Sequence, residues 1–294
     1  MDNISKIIKK EIEFRNSLSD IFRCDVRVPN NYSADDKKFF EKIPCVIVCP
    51  GFMAFKDWGH FPYIGEKMAQ ANYCSIVLNY SHNGVEEQRN RITNLEKFAA
   101  NTVSQELADI RNVIDTITDG NLEEFCIDTE NIFLLGHSRG AANALLIASS
   151  DKRIKKLVTW ASIAYYDRWT AHQKNNWRQS GFLSLSKETE SHPIRMKIDY
   201  LEDIEKNRVK FDLYKAASRI NIPWLIVHGI EDLIAKVSEA EKLFDLSADA
   251  QTQLVKIPKV GHIFGTETPT NRNDSTLNNI LQLTINWLHN LSRR

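Results

Sequence analysis

The stretch LLGHSRGAAN, Leu134–Asn143, sets Ser138 between Gly136 and Gly140 directly after an apolar run. A buried strand, IFLL, is expected before the first glycine, and a helix-compatible run of small residues follows the second. A strand-to-helix turn here has to be sharp, and small flanking residues let the two elements approach. Such a turn lifts a serine hydroxyl clear of the backbone at a helix N-terminus, where developing negative charge is favoured. The blander reading is a glycine-bordered turn with an incidental serine. The pattern is short, so the rest of the chain has to decide.

Apolar runs and helical patterns alternate on both sides of it. CVIVCPG (Cys45–Gly51) and CSIVLNY (Cys74–Tyr80) are nearly unbroken apolar runs of the kind buried on both faces in a parallel sheet. HFPYIGEKMAQAN between them suits a helix. From Asn101 to Gly120, Val103, Leu107, Ile110, Val113, Ile114 and Ile117 keep a helical period, and Thr102 with Gln105 can form a capping box. Beyond the elbow come strand IKKLVTW, strand PWLIVHG at 223–229, a helix from about Ser238 to Leu246, strand QLVKIP, and an amphipathic helix over 275–290. KEIEF and DIFRCDVRVP read as an edge pair at the start, and NNYSADDKKFFEK as a surface loop. Strands separated by helices predict an α/β fold, an open and mostly parallel sheet covered on both faces. We expect one domain over 1–294, carrying an aromatic-rich, charged insertion at about 164–219.

With 38 basic against 38 acidic residues, the chain has no general attraction for nucleic acid or anionic membranes. No apolar run is long enough for a signal peptide or a membrane span, which makes a cytoplasmic location the expectation. The five cysteines (Cys24, Cys45, Cys49, Cys74, Cys126) lie mostly in apolar runs and read as free thiols. No H-E-x-x-H or paired-cysteine spacing occurs, so neither a metal nor any other cofactor is expected.

A serine nucleophile needs a base, and the base needs an orienting acid. In this architecture the order is serine, acid, histidine, each at the carboxyl end of a strand. HGIEDLIA after strand WLIV supplies Glu231 and Asp232, and PKVGHIFG after strand LVKI supplies His262. Of the remaining histidines, His137 belongs to the elbow, His228 packs where its strand ends, and His60, His82, His172, His192 and His289 lack a matching position.

With the elbow GHSRG, the HG-x-x-D pattern at His228–Asp232 and the Gly261–His262 pair in view, the chain resembles an α/β-hydrolase of the serine esterase type. The likeness is to dienelactone-hydrolase-like and serine-aminopeptidase-like bacterial members, and it runs from about Lys10 to Trp287. It implies Ser138 as nucleophile, His262 as base and Asp232, not Glu231, as the acid. It implies an oxyanion hole made by the backbone amides of Arg139 and Phe52, with Met53 as the competing donor. Pro50 stands where a histidine is usual before Gly51, which leaves the amide of Phe52 in place. Arg139 replaces the usual Met, Gln or Leu, and its side chain has two readings: binding a substrate carboxylate, or pairing with a nearby acid. His82 after the second buried strand is a candidate for the entrance, although Asn83-Gly84 equally makes a turn.

Insertions at this point of the superfamily form lids over the serine. Tyr165, Trp169 and Trp177 would then line the substrate pocket, or merely anchor the insertion on the body. Arg168, Arg178 and Arg195 are interspersed with acids, which argues against a cationic clamp. The expectation is hydrolysis of small to medium or aromatic carboxylic esters through an acyl-enzyme, by a monomer or homodimer. Amide or peptide cleavage by the same residues is the alternative, and a non-catalytic binding protein a remote one. A peptidase would need an acid pair for the substrate amino terminus, and Glu188, Glu190, Asp199, Glu202 and Asp203 are scattered.

Overall fold

The computed structural model describes residues 7–30, 42–86, 91–185, 193–247, 251–265 and 275–290. In chain order the elements are β1 (Ile7–Arg15), β2 (Ile21–Pro29), β3 (Ile43–Cys49), α1 (Phe61–Gln70), β4 (Cys74–Leu78), α2 (Leu95–Ala99) and α3 (Val103–Thr118). Then come β5 (Ile127–His137), α4 (Arg139–Ala148), β6 (Ile154–Trp160), α5 (Ala171–Ser180), β7 (Phe182–Ser184), β8 (Arg195–Lys197), α6 (Ile198–Lys206) and α7 (Leu213–Ala217). The chain closes with β9 (Trp224–Gly229), α8 (Val237–Leu246), β10 (Thr252–Ile257) and α9 (Ser275–Asn290). An eight-stranded sheet runs in the order β1-β2-β4-β3-β5-β6-β9-β10. The hairpin β1–β2 and the β2–β4 pair are antiparallel, and the remaining pairs are parallel.

Unbroken apolar strands have this consequence because successive side chains point to opposite faces. In β3, Cys45, Ile47 and Cys49 enter one core while Val46 and Val48 enter the other. In β5, Ile132 and Leu134 face the first core, and Phe133 and Leu135 the second. The apolar faces of α3 and α4 cover the first core; α1 and α9 cover the second. Thr102 and Gln105 form the capping box expected at the start of α3. Of the cysteines, four are buried, Cys126 is half-buried, and all are free thiols.

The stretch at 164–219 holds α5, a two-stranded hairpin β7–β8, α6 and α7. It packs on the body: Tyr166, Trp177, Met196, Tyr200, Leu201, Phe211 and Leu213 all join the first core. Three of its arginines have partners close by. Arg168 pairs with Glu239, Arg178 with Glu205, and Arg195 lies over the Phe182 ring. Glu188, Glu190 and His192 lie outside the described residues. Among the described residues, no helix is long and apolar enough to cross a membrane.

The tightest joint is between α4 and β3. A Cβ on Gly140 would stand 2.2 Å from the carbonyl oxygens of both Cys49 and Pro50. One on Gly136 would stand 2.5 Å from Ala141 Cα. Because the clash at Gly140 is with backbone, no rotamer change relieves it. Gly140→Ala should therefore cost about 1–3 kcal/mol or more, as other overpacked sites do. Thermal unfolding should show a Tm several degrees lower; an unchanged Tm would mean that the two elements separate freely.

Candidate functional site

β5, β9 and β10 end at the same edge of the sheet because all three are parallel, and their C-terminal loops carry the three residues singled out above. Ser138 sits between β5 and α4 at φ 56, ψ −122. A non-glycine residue adopts that conformation only under restraint from its surroundings. Here the restraint includes Ser138 N–H donating to the Trp160 carbonyl at 2.9 Å, and α4 beginning at the very next residue. The Ser138 hydroxyl does not cap α4. It meets His262 Nε2 at 2.8 Å, and His262 Nδ1 meets Asp232 Oδ2 at 2.7 Å.

The partners assign the protons. A carboxylate only accepts, so His262 donates from Nδ1 to Asp232; in a neutral ring that leaves Nε2 to accept from the serine hydroxyl. Asp232 is ionised: burial alone would raise its pKa, but hydrogen bonds from His228 and His262 and the amide of Ala235 hold it far below the carboxylate range. Its Oδ1 accepts from the amides of Ile234 at 2.8 Å and Ala235 at 2.9 Å. Its Oδ2 also has His228 Nε2 at 3.3 Å. Glu231, by contrast, is exposed.

The expected oxyanion donors come from adjacent places. Arg139 is the first residue of α4, where an amide has no acceptor within the helix. Gly51–Ala54 is a turn closed by Ala54 N–H donating to the Gly51 carbonyl at 3.2 Å, with Met53 at φ 59. Gly51 packs against the elbow, where a Cβ would stand 3.0 Å from Ser138 Cβ. Phe52 is half-buried, while Met53 is exposed.

Of the two readings of the Arg139 side chain, the structure has the paired one. Its guanidinium is buried and donates to Glu106 on α3. Burial works against its charge, but Glu106 and then Tyr200 more than offset that, and its pKa is raised. Glu106 also accepts from Asn101 and Asn143, each at 2.7 Å, and Asn143 accepts from Tyr166 Oη at 2.7 Å. The sequence reading missed this polar cluster. Its one signal was position: Glu106 falls on the apolar face of α3, between Val103 and Leu107.

The other expected site residues divide. Tyr165 is exposed, and the Arg168 guanidinium, 4.7 Å over its ring, also donates to the carbonyl of Ile234, two residues beyond Asp232. Trp169 is half-buried, 5.1 Å from Trp177. Trp177 is enclosed in the core, its indole N–H donating to the Met196 carbonyl at 3.2 Å. His82 is half-buried between Ser81 Oγ at 3.1 Å and Gln105 Nε2 at 3.3 Å. Among the described residues, no group of three or more His, Cys, Asp or Glu side chains is arranged to hold a metal ion.

Two histidines without a role in the sequence reading stand behind His262. His137 Nε2 donates to the His262 carbonyl at 2.9 Å, and its ring lies 5.0 Å from the His262 ring. His60 lies 5.2 Å beyond His137.

The model of the prolyl oligopeptidase family matches residues 82–290, more than two thirds of the chain. The chain belongs to the prolyl oligopeptidase family. A relative described as an uncharacterized 31.7 kDa protein in the traX-finO intergenic region of Escherichia coli is 22% identical over 247 residues, covering 72% of this chain and 81% of that protein. Among solved structures, the alpha/beta hydrolase GrgF from Penicillium sp. sh18 superposes with a TM-score of 0.70 at 15% identity, over 96% of this chain and 98% of that one. Est1E from Butyrivibrio proteoclasticus gives 0.67 at 16% identity, over 97% and 99%. Identities this low establish a shared fold, that of the α/β-hydrolases. For this prolyl oligopeptidase family member, family and fold together support hydrolysis of the serine type in general.

The buried histidines give the site a pH signature. Burial, and secondarily His262, push His60 down to about 4, and burial with His60 and His262 pushes His137 well below its ordinary value. A histidine whose folded pKa lies below the unfolded one contributes stability above pH ~6.5 that is lost as pH falls toward the folded value. For His60, the loss between pH 7 and pH 5 is about 2 kcal/mol. Urea unfolding at both pH values should show a change in stability between pH 7 and pH 5 that differs by about 2 kcal/mol between the wild type and His60→Gln, the wild type losing more. Equal falls would remove His60 from the account.

Proposed function

We propose that the chain is a serine esterase in which Ser138 is the nucleophile, His262 the general base and Asp232 the orienting acid. The observation that carries this reading is the unbroken hydrogen-bond chain from Ser138 Oγ through His262 to ionised Asp232. Ser138 Oγ attacks the ester carbonyl while its proton passes to His262 Nε2. The oxyanion forms against the amides of Arg139 and Phe52, donors placed for the charge of the transition state. His262 then returns the proton to the departing alcohol, leaving an acyl-Ser138. A water deprotonated by His262 attacks that acyl group, and collapse of the second tetrahedral species releases the acid and restores the serine.

Esters are preferred over peptides in this reading because, among the described residues, the adjacent Glu202 and Asp203 do not make a free pair for an amino terminus. Asp203 is occupied by Ser104, which donates from both N and Oγ, and by Asn207. Glu188 and Glu190 lie outside the described residues. The narrower likeness to dienelactone-hydrolase-like enzymes belongs to the same proposal. We place the segment over 164–219 as a lid with Tyr165 at the mouth of the site, and aromatic or medium-chain acyl groups as its preferred guests. One structure of Est1E is described as holding ferulic acid, an aromatic acid bound by a related fold.

A fluorophosphonate probe should label the wild type and not Ser138→Ala, and p-nitrophenyl ester hydrolysis should disappear with the same substitution. Asp232→Asn should lower kcat far more than Glu231→Gln, with native circular dichroism in both. Equal losses in the two variants would reject Asp232 as the acid. Retained turnover in Ser138→Ala would reject the whole reading.

Acyl-group selectivity tests the role of the lid. Removing the whole segment would uncover the core beneath Tyr166 and Trp177, so the informative change is Tyr165→Ala. Each methylene gripped by an apolar pocket is worth about 1 kcal/mol or more of discrimination. A series from acetyl to octanoyl and cinnamoyl esters should rise in kcat/KM for the wild type, and less steeply for Tyr165→Ala. Superimposable profiles would remove Tyr165 from the pocket.

A further inference from the structure

Arg139 enters the site twice, through its backbone and through its side chain. Its N–H opens α4 beside Ser138, and its guanidinium carbon lies 4.3 Å from the centroid of the Phe52 ring. Phe52 carries the amide proposed as the other oxyanion donor. The same guanidinium is 5.5 Å from the Tyr200 ring and donates to Glu106, which Asn101 and Asn143 hold in turn. On its other contact, Phe52 stacks with Phe98 at 5.8 Å. A cation over an aromatic face gains most where water is excluded, and Arg139 is 6% exposed.

The turn needs such an external hold. Met53, next to Phe52, sits at a positive φ that a residue with a Cβ adopts only against a cost. A turn free to relax would rotate the Phe52 amide away from the point that the Arg139 amide faces. The uncharged side chains expected at position 139 from the resemblance make no cation–π contact and leave Glu106 without its ion pair.

We propose that the Arg139 side chain is a positioning residue, held by Glu106, that fixes Phe52 so that the Phe52 and Arg139 amides converge on one oxyanion. This rests on the serine esterase reading above and adds to it a residue acting through another. It also accounts for an arginine next to the nucleophile with no substrate carboxylate involved.

The test combines Phe52→Leu, the paired change Glu106→Gln/Arg139→Met, and the triple variant. The paired change avoids leaving a buried carboxylate without its cation. Phe52→Leu keeps an apolar side chain at a half-buried position, so it carries the test alone if the paired variant does not fold. Each should lose about tenfold to a hundredfold in kcat, the scale of a displaced oxyanion donor, with KM within about threefold of wild type. The triple variant should be no slower than the worse of the other two, since both break the same contact. Three results would overturn the proposal: kcat within about twofold of wild type in folded Phe52→Leu, a raised KM with kcat kept, or additive losses. A purely structural Arg139 would lower Tm in the paired variant and leave kcat in place. Ser138→Ala separates the two levels. If it keeps turnover, the esterase reading fails; if it is inactive while Phe52→Leu is unimpaired, only the positioning role fails.

Discussion

The close approach of α4 to the end of β3 is the constraint on which the site depends. Gly140 is pressed against the carbonyls of Cys49 and Pro50, so the helix that starts at Arg139 begins almost in contact with the loop that carries Phe52. A side chain at 140 would separate Ser138 from the turn that faces it. The strained geometry of Ser138 follows, because the backbone must leave β5 and enter α4 within one residue. What looks in sequence like a short glycine motif is in three dimensions a distance requirement between two elements far apart in the chain.

A second set of contacts closes the site from the opposite side. His137 precedes Ser138, and its ring N–H holds the backbone carbonyl of His262, while the His262 ring reaches back to Ser138 Oγ. Elbow and histidine loop are thereby tied at two points, one through the His262 backbone and one through its ring. Asp232 is fixed independently by the amides of Ile234 and Ala235. Rotation of the His262 ring would have to break bonds to two different loops, which favours one orientation without any closing motion.

The fold was legible in the sequence because its strands are apolar on both faces and its long helices are amphipathic. Asn101–Gly120 was read as a helix and Val103–Thr118 is one, with the Thr102–Gln105 box at its start. Order and spacing point to Ser138, His262 and an acid at 231 or 232, since parallel strands deliver their C-terminal loops to one edge, and the resemblance selects Asp232, which is the one hydrogen-bonded to His262. Two kinds of information were not legible. Short elements such as α2 and the β7–β8 hairpin carry too few residues for a periodic signal. Buried polar partners, such as Glu106 for Arg139 and His137 for His262, join residues 33 and 125 positions apart. Their meeting follows from packing, and local pattern holds no record of it. The aromatic insertion stays open between pocket lining and anchoring for the same reason: Trp177 and Tyr165 look alike in sequence, yet one is in the core and the other on the surface.

Placement of the buried charges extends this to the loop after β3. Lys56, 1% exposed, reaches Glu11 at 3.0 Å, Asp25 at 3.1 Å and Asp57 at 2.5 Å, and its amide donates to Asn79 at 2.8 Å. That network anchors the loop to the β1–β2 hairpin. Four residues earlier, Phe52 meets the Arg139–Glu106 pair. Buried ion pairs are poor sources of net stability, because desolvation consumes most of the Coulombic gain. Apolar residues of similar size could fill both places at no greater cost. They could not fix direction as hydrogen-bonded charges do, and both networks grip the loop that carries Phe52. The N-terminal hairpin, remote from Ser138 in sequence and in sheet order, is by this route part of the support for the site.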